Sequence, residues 1–360
     1  MRFTKYNSME DILDYPKMGE YLRIFYSEYL LEMYPEDMRS LPVARLEQVA
    51  HTPWGEPFSI VADQLMDAVN LVADIFENHV RRAVSLWDTD GGDWNLEKEA
   101  RGGKNQVFLI APSEKMLREE AGKVPDGFIA ADTGSKPAVI ICPGGGYESV
   151  CFSGEGTPVM HYMEAQGYRA FILRYRTGTD GTYPAPQEDL SLAVRYAREH
   201  ADEYGIDPHN IMTMGFSAGG HLCASQAGLT LPDYQGTLQN RVFTPKLSHP
   251  DKVCLCYPVI SFIHEPHEGS AAALTGGDNM LREQLSVENL ITADYPSTFV
   301  WTCADDDCVP PSNAVRMAKA LEAVGVRHEL HAYGSGGHGC ALAFSKEACG
   351  WSQAMIKFFR

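Results

Sequence analysis

Gly215 to His221 reads Gly-Phe-Ser-Ala-Gly-Gly-His and follows the apolar run Asn210-Ile-Met-Thr-Met214. A serine in Gly-x-Ser-x-Gly sits where a strand turns sharply into a helix. Small flanking residues permit the turn, and Oγ is held out of the sheet. The helix that starts there aims backbone N–H groups at a reacting carbonyl and favours developing negative charge. The implied chemistry is nucleophilic attack by Ser217 on an acyl carbon.

A serine nucleophile needs a base within hydrogen-bond reach and a carboxylate that orients the base. With a strand-to-helix serine the partners follow in the order acid, then histidine. Two apolar runs lie downstream. Thr298–Cys303 ends in Ala304-Asp-Asp-Asp-Cys-Val-Pro310, and Arg327–Ala332 ends in Tyr333-Gly-Ser-Gly-Gly-His-Gly339. His338 is the candidate base. His221 is too close to Ser217 in sequence to swing round and reads as a helix residue supporting nearby loops. The acid is one of Asp305, Asp306 and Asp307, the remaining carboxylates being solvated or capping a helix that starts near Ser312.

Acyl transfer also requires donors for the tetrahedral oxyanion. The run Ala138–Cys142 leads directly into Pro143-Gly-Gly-Gly-Tyr147, where glycines let backbone N–H groups approach a substrate. Gly145 and Gly146 are the candidates there, completed by the N–H of Ala218. A phosphate loop of the Walker type is excluded because no Lys-Ser/Thr follows.

Groups this far apart must be gathered by a scaffold. From about Asn105 onward, short apolar runs alternate with amphipathic stretches. Strands are expected at Gln106–Ile110, Ala138–Cys142, Arg169–Tyr175, Asn210–Met214, Lys252–Tyr257, Thr298–Cys303 and Arg327–Ala332. Helices are expected at Pro158–Gln166, Glu188–Tyr204, Ala218–Leu229, Asn313–Val324 and Gly350–Phe359. The strands are continuous apolar runs, as when helices cover both sheet faces, so the class is α/β with a mostly parallel central sheet. Residues 1–100 differ: Glu20–Met33 and Ile60–Val80 carry apolar residues at helical spacing, and Asp88–Asp93 reads as a turn-rich linker. We divide the chain into a helical segment, 1–100, and a catalytic domain, 101–360. The added segment either docks over the active-site end of the sheet as a cap, packs on its side, or buries its apolar faces across a homo-oligomer contact.

The formal net charge of the 360 residues is −18, which argues against nucleic acid or an anionic membrane as partner. The N-terminus has no apolar signal core, and no run approaches a membrane span. The nine cysteines are odd in number, and several sit inside apolar runs, so reduced thiols and a cytoplasmic location are expected. No cysteine or histidine cluster has metal spacing, and no cofactor is expected.

Pro143-Gly-Gly-Gly-Tyr147, Arg174-Tyr-Arg176, Tyr183-Pro184 with Asp189-Leu190, Tyr204-Gly-Ile-Asp-Pro208, Gly215–Leu222 and Tyr257-Pro-Val-Ile-Ser261 form a connected pattern with the two downstream loops. Over about residues 105–360 this pattern resembles the α/β-hydrolase esterases of the acetyl-xylan esterase and xylanase-associated, feruloyl-esterase-like group. The usual His-Gly-Gly-Gly of the hormone-sensitive-lipase branch is Pro-Gly-Gly-Gly here. The resemblance implies an α/β-hydrolase fold and a triad of Ser217, Asp306 and His338. It favours Asp306 over its main rival Asp305 because such hydrolases often carry Asp-x-x-Val-Pro. The implied activity is removal of small acyl groups, acetyl foremost, from a carbohydrate or similar alcohol by a serine carboxylesterase. Amide hydrolysis of the kynurenine formamidase or small-peptidase type is the alternative.

Overall fold

Eight strands form one sheet in a computed structural model of the protein, which describes residues 2–25, 39–48, 58–88, 92–122, 135–229 and 245–360. They are β1 (Arg81–Ser85), β2 (Phe108–Pro112), β3 (Lys136–Cys142), β4 (Arg169–Arg174), β5 (Ile206–Phe216), β6 (Lys252–Cys256), β7 (Ser297–Cys303) and β8 (His328–Tyr333). Their order across the sheet is β1-β2-β4-β3-β5-β6-β7-β8. β1 and β2 run antiparallel, as do β2 and β4, and every later pairing is parallel. This is the α/β-hydrolase architecture.

The continuous apolar runs are explained by two-sided burial. Val139, Ile141, Met212, Met214 and Phe299 enter the core on one face, and Ile140, Ile211, Leu255 and Val300 enter the core on the other. Successive side chains alternate between faces, so a strand covered on both sides must be apolar at nearly every position. Helices Thr157–Ala165 and Trp351–Phe359 contribute to the first core, and Ala185–Glu199, Ala218–Gly228 and Ser312–Ala323 to the second.

One strand pairing crosses the boundary expected near residue 100. β1 lies inside the segment expected to be helical, yet it pairs with β2 from Arg81↔Pro112 to Ser85↔Phe108. Its sequence, Arg-Arg-Ala-Val-Ser, does not read as a buried strand because it opens with two charges. Those charges are neutralised by distant partners: Arg81 makes a bidentate pair with Glu164 at 2.6 Å, and Arg82 pairs with Asp93 at 3.0 Å. Ahead of β1, helices Met18–Phe25 and Phe58–Phe76 bury their apolar faces in the same core as the sheet. Phe25 packs against Phe108 and Phe152 with ring centroids 5.5 and 5.1 Å apart. The expected helical positions Tyr29, Leu30 and Met33 and linker residues 89–91 lie outside the described residues. No described helix is long and apolar enough to cross a membrane.

Candidate active site

Five loops meet at the carboxyl end of the parallel strands, after β3, β5, β6, β7 and β8. Ser217 follows β5 with φ 52 and ψ −119, a conformation rarely adopted by L side chains and costing on the order of 1–3 kcal/mol. The glycines around it are required by close approach. A Cβ on Gly215 would stand 2.1 Å from the carbonyl oxygen of Gly219, and one on Gly219 would stand 2.1 Å from that of Cys142. The elbow is tied down by Ser217 N–H to Cys256 C=O (3.0 Å) and Val259 N–H to Ser217 C=O (3.1 Å).

The loops after β7 and β8 bring Asp306 and His338, the candidate acid and base, to the serine. His338 Nε2 is 2.8 Å from Ser217 Oγ, and His338 Nδ1 is 2.7 Å from Asp306 Oδ2. An ionised carboxylate only accepts, so Nδ1 carries the proton and Nε2 accepts from the serine hydroxyl. The Asp306 side chain is fully buried, and its Oδ1 accepts from the N–H groups of Cys308 (3.0 Å) and Val309 (2.9 Å). Asp305, the rival, turns elsewhere. Its oxygens accept from Gly337 N–H (2.8 Å) and Gly336 N–H (3.2 Å), and those bonds hold its carboxyl below the usual range. Asp305 braces the loop that carries His338, while Asp307 is exposed.

The oxyanion candidates lie on the loop after β3. Gly145, Gly146 and Tyr147 all have positive φ (126°, 66° and 65°), and the N–H groups of Gly145, Gly146 and Ala218 donate no hydrogen bond among the described residues. The N–H of Gly144, in contrast, is bound by Glu155 Oε2 at 2.6 Å. Glu155 is buried, and its Oε1 accepts from the Tyr257 hydroxyl at 2.8 Å. That hydroxyl accepts from Ala341 N–H at 2.9 Å, and the Tyr257 ring stands edge-on to His338 with centroids 4.9 Å apart. One carboxylate thus connects the oxyanion loop with the histidine loop. Burial raises the Glu155 pKa, and the Gly144 and Tyr257 donors and the nearby His338 oppose that shift.

Further struts hold the oxyanion loop from behind. The Tyr175 hydroxyl donates to Pro143 C=O at 2.7 Å. Next to it, Arg176 is gripped by Asp189, which gives the Arg174–Arg176 and Asp189 parts of the sequence pattern a structural role. His221 is fully buried between the Tyr147 hydroxyl (Nδ1, 2.8 Å) and Leu285 C=O (Nε2, 2.9 Å), and burial pushes its pKa down to about 4. It supports loops, as its position on the helix implied. Sequence reasoning missed Glu155 and the role of Tyr257. A carboxylate set among small residues, as in Ser153-Gly-Glu-Gly156, reads as solvated loop, and only the tertiary fold buries it.

A family model described as BD-FAE matches residues 128–321, a span that holds Gly145, Gly146, Ser217, Ala218 and Asp306 and stops before His338. The chain belongs to the BD-FAE family. Among curated relatives, endo-1,4-beta-xylanase B of Butyrivibrio fibrisolvens is 32% identical over 64% of this chain and 37% of its own length. An acetylxylan esterase of Xylanibacter ruminicola is 30% identical over 56% of this chain and 40% of its own. The chain therefore spans about two fifths of the length of these relatives. A crystal structure of an acetyl ester-xyloside bifunctional hydrolase from Caldicellulosiruptor lactoaceticus superposes with a TM-score of 0.58 at 33% identity, covering 70% of this chain and 87% of that one.

Proposed function

We propose that the protein is a serine carboxylesterase that removes small acyl groups, acetyl foremost, from a carbohydrate alcohol through an acyl-enzyme on Ser217. The observation that carries this reading is the hydrogen-bonded chain from Ser217 Oγ through His338 to Asp306, at 2.8 and 2.7 Å. His338 Nε2 takes the serine proton as Oγ attacks the ester carbonyl. The oxyanion is received by the N–H groups of Gly145, Gly146 and Ala218, and Asp306 stabilises the imidazolium that forms. Collapse releases the alcohol, protonated by His338. Water, deprotonated by the same nitrogen, then attacks the acyl-serine and frees the carboxylic acid. The names of the relatives support acetyl as the acyl group and a xylan-type sugar as the alcohol. Nine free cysteines, five of them buried, support a reducing, cytoplasmic compartment.

The test is a rate comparison on p-nitrophenyl esters of increasing chain length, acetylated xylo-oligosaccharides and N-formylkynurenine, with Ser217→Ala alongside. The ester reading expects the highest kcat/KM on acetyl esters and a loss on the order of 10⁶ in kcat for Ser217→Ala. Faster turnover of N-formylkynurenine would favour amide hydrolysis. More than about 1% residual kcat in Ser217→Ala would remove the nucleophile assignment, because triad knockouts cost far more than a hundredfold.

A further inference from the structure

The loop after β6 enters the site beside the elbow, at Val259, and returns toward the oxyanion loop at His267. It is held rigidly. Asn313, itself buried, accepts from the N–H groups of Ile260 (3.0 Å) and Ser261 (2.9 Å) and donates to Glu265 C=O (3.1 Å) and Pro310 C=O (3.2 Å). The acid loop and the His267 loop are thereby fixed to one side chain. His267 is half-buried, and apart from the residues flanking Gly146 its Cε1 is the one heavy atom among the described residues within 4.0 Å of where a Cβ on Gly146 would sit. Beyond that imidazole, the space over Gly146 is open.

The orientation of the His267 proton follows from its partners. Nδ1 accepts from Ser270 N–H at 3.2 Å and lies 2.8 Å from Ser270 Oγ, capping the helix Glu268–Thr275. A neutral imidazole that accepts at Nδ1 carries its proton at Nε2. Burial, and then repulsion from His338, lowers the His267 pKa from its usual value against an opposing pull from Asp306, a shift that favours the neutral ring. Nε2 makes no hydrogen bond among the described residues. The result is a fixed donor at the edge of the oxyanion loop with no acceptor among the described residues.

We propose that His267 is a substrate-contacting residue whose Nε2–H donates to an oxygen of the carbohydrate alcohol. The chemistry of an acetyl ester selects that partner. The acyl methyl has no acceptor, and the carbonyl oxygen is served by the backbone donors of Gly145, Gly146 and Ala218. A further fixed donor finds its acceptor on the polyhydroxylated side of the ester. Sites built around such a donor discriminate against analogues that lack the acceptor, because a donor desolvated by the bound substrate is then left unpaired. This inference rests on the carbohydrate-ester reading above.

Two variants separate contact from capping. Asn places its amide oxygen near the Nδ1 position and keeps the helix cap, but it loses the Nε2–H. Gln reaches the Nε2 position with an N–H donor but abandons the cap. On acetylated xylo-oligosaccharides, His267→Asn is expected to lose about tenfold or more in kcat/KM, and His267→Gln is expected to retain more activity than Asn. On phenyl acetate, whose aryl group carries no hydrogen-bond acceptor, the Asn and Gln variants are expected to differ from each other by less than about twofold. Asn equal to wild type on the carbohydrate while Gln falls would show that His267 only caps the helix, and overturn the proposal. Equal losses on both substrates would overturn it too, because the residue would then serve the chemistry rather than the alcohol. A wild-type protein that cleaves p-nitrophenyl acetate but no acetylated carbohydrate would remove the carbohydrate reading, and this contact with it.

Discussion

Glu155→Gln is the change that most directly probes how the two catalytic loops are held together. The wild-type carboxylate offers one oxygen to Gly144 N–H (2.6 Å) and the other to the Tyr257 hydroxyl (2.8 Å). An amide of the same shape has one oxygen and one NH₂, so one of the two donors must lose its acceptor. With NH₂ toward Gly144, two donors meet nitrogen to nitrogen, and the oxyanion loop has to move. With NH₂ toward Tyr257, the hydroxyl accepts from both the amide and Ala341 N–H, and its own proton is stranded. A buried unsatisfied donor costs about 1–3 kcal/mol, so the second arrangement, which displaces no backbone, is the cheaper. That cost falls on the oxyanion and histidine loops, where the proposed mechanism places transition-state stabilisation. If half or more of it appears in the barrier, kcat for p-nitrophenyl acetate falls about 2.3- to 160-fold at 1.36 kcal/mol per decade, with KM little changed. A displaced oxyanion donor would carry the loss toward about 10²–10³. Steady-state kinetics and thermal unfolding on the same preparation form the assay. A lower melting temperature with kcat within about twofold of wild type would refute the reasoning, since Glu155 would then stabilise the fold without positioning either loop.

Asp306→Asn is expected to lose on the order of 10⁴ in kcat by disturbing the His338 tautomer, whereas Asp305→Asn should lose far less and act through the Gly336–Gly337 backbone; a larger loss at Asp305 would reverse the assignment. His221 gives a pH expectation with a definite sign. Its folded pKa of about 4 lies below the ordinary 6.5, so as pH falls the unfolded chain takes the proton first. Stability is then lost progressively from about pH 6.5 to about 4, by roughly 3 kcal/mol at 1.36 kcal/mol per unit. Urea unfolding across that range should show a shallower decline in His221→Gln, and an identical decline would sink the attribution. Deleting residues 1–95 removes β1 and uncovers Phe108 and Phe152, so low solubility or a strongly reduced melting temperature is expected. A soluble, monodisperse truncated protein with an unchanged substrate profile would contradict the shared core.

The sequence by itself determined the elements of the sheet from β2 onward and the local chemistry of the turns between them. Apolar runs of strand length mark β3 to β7 because burial on both faces leaves no polar position. Gly215, Gly219 and Gly220 around Ser217, and Gly145 and Gly146 before Tyr147, mark the turns because only glycine permits those approaches and dihedrals. These are short-range constraints, and short-range constraints are written in consecutive residues. What the tertiary structure decided is long-range. Residue type does not separate three adjacent aspartates, and only the resemblance to hydrolases with Asp-x-x-Val-Pro favoured Asp306; the path of the loop after β7 turns Asp306 toward His338 and Asp305 toward the backbone of the histidine loop. Arg81 and Arg82 open β1 because Glu164, 83 positions away from Arg81, and Asp93 neutralise them. Glu155 and His267 carry no local pattern at all. Their places come from loops after different strands converging at one end of the sheet, where a buried carboxylate finds two donors and the His267 ring comes close to Gly146.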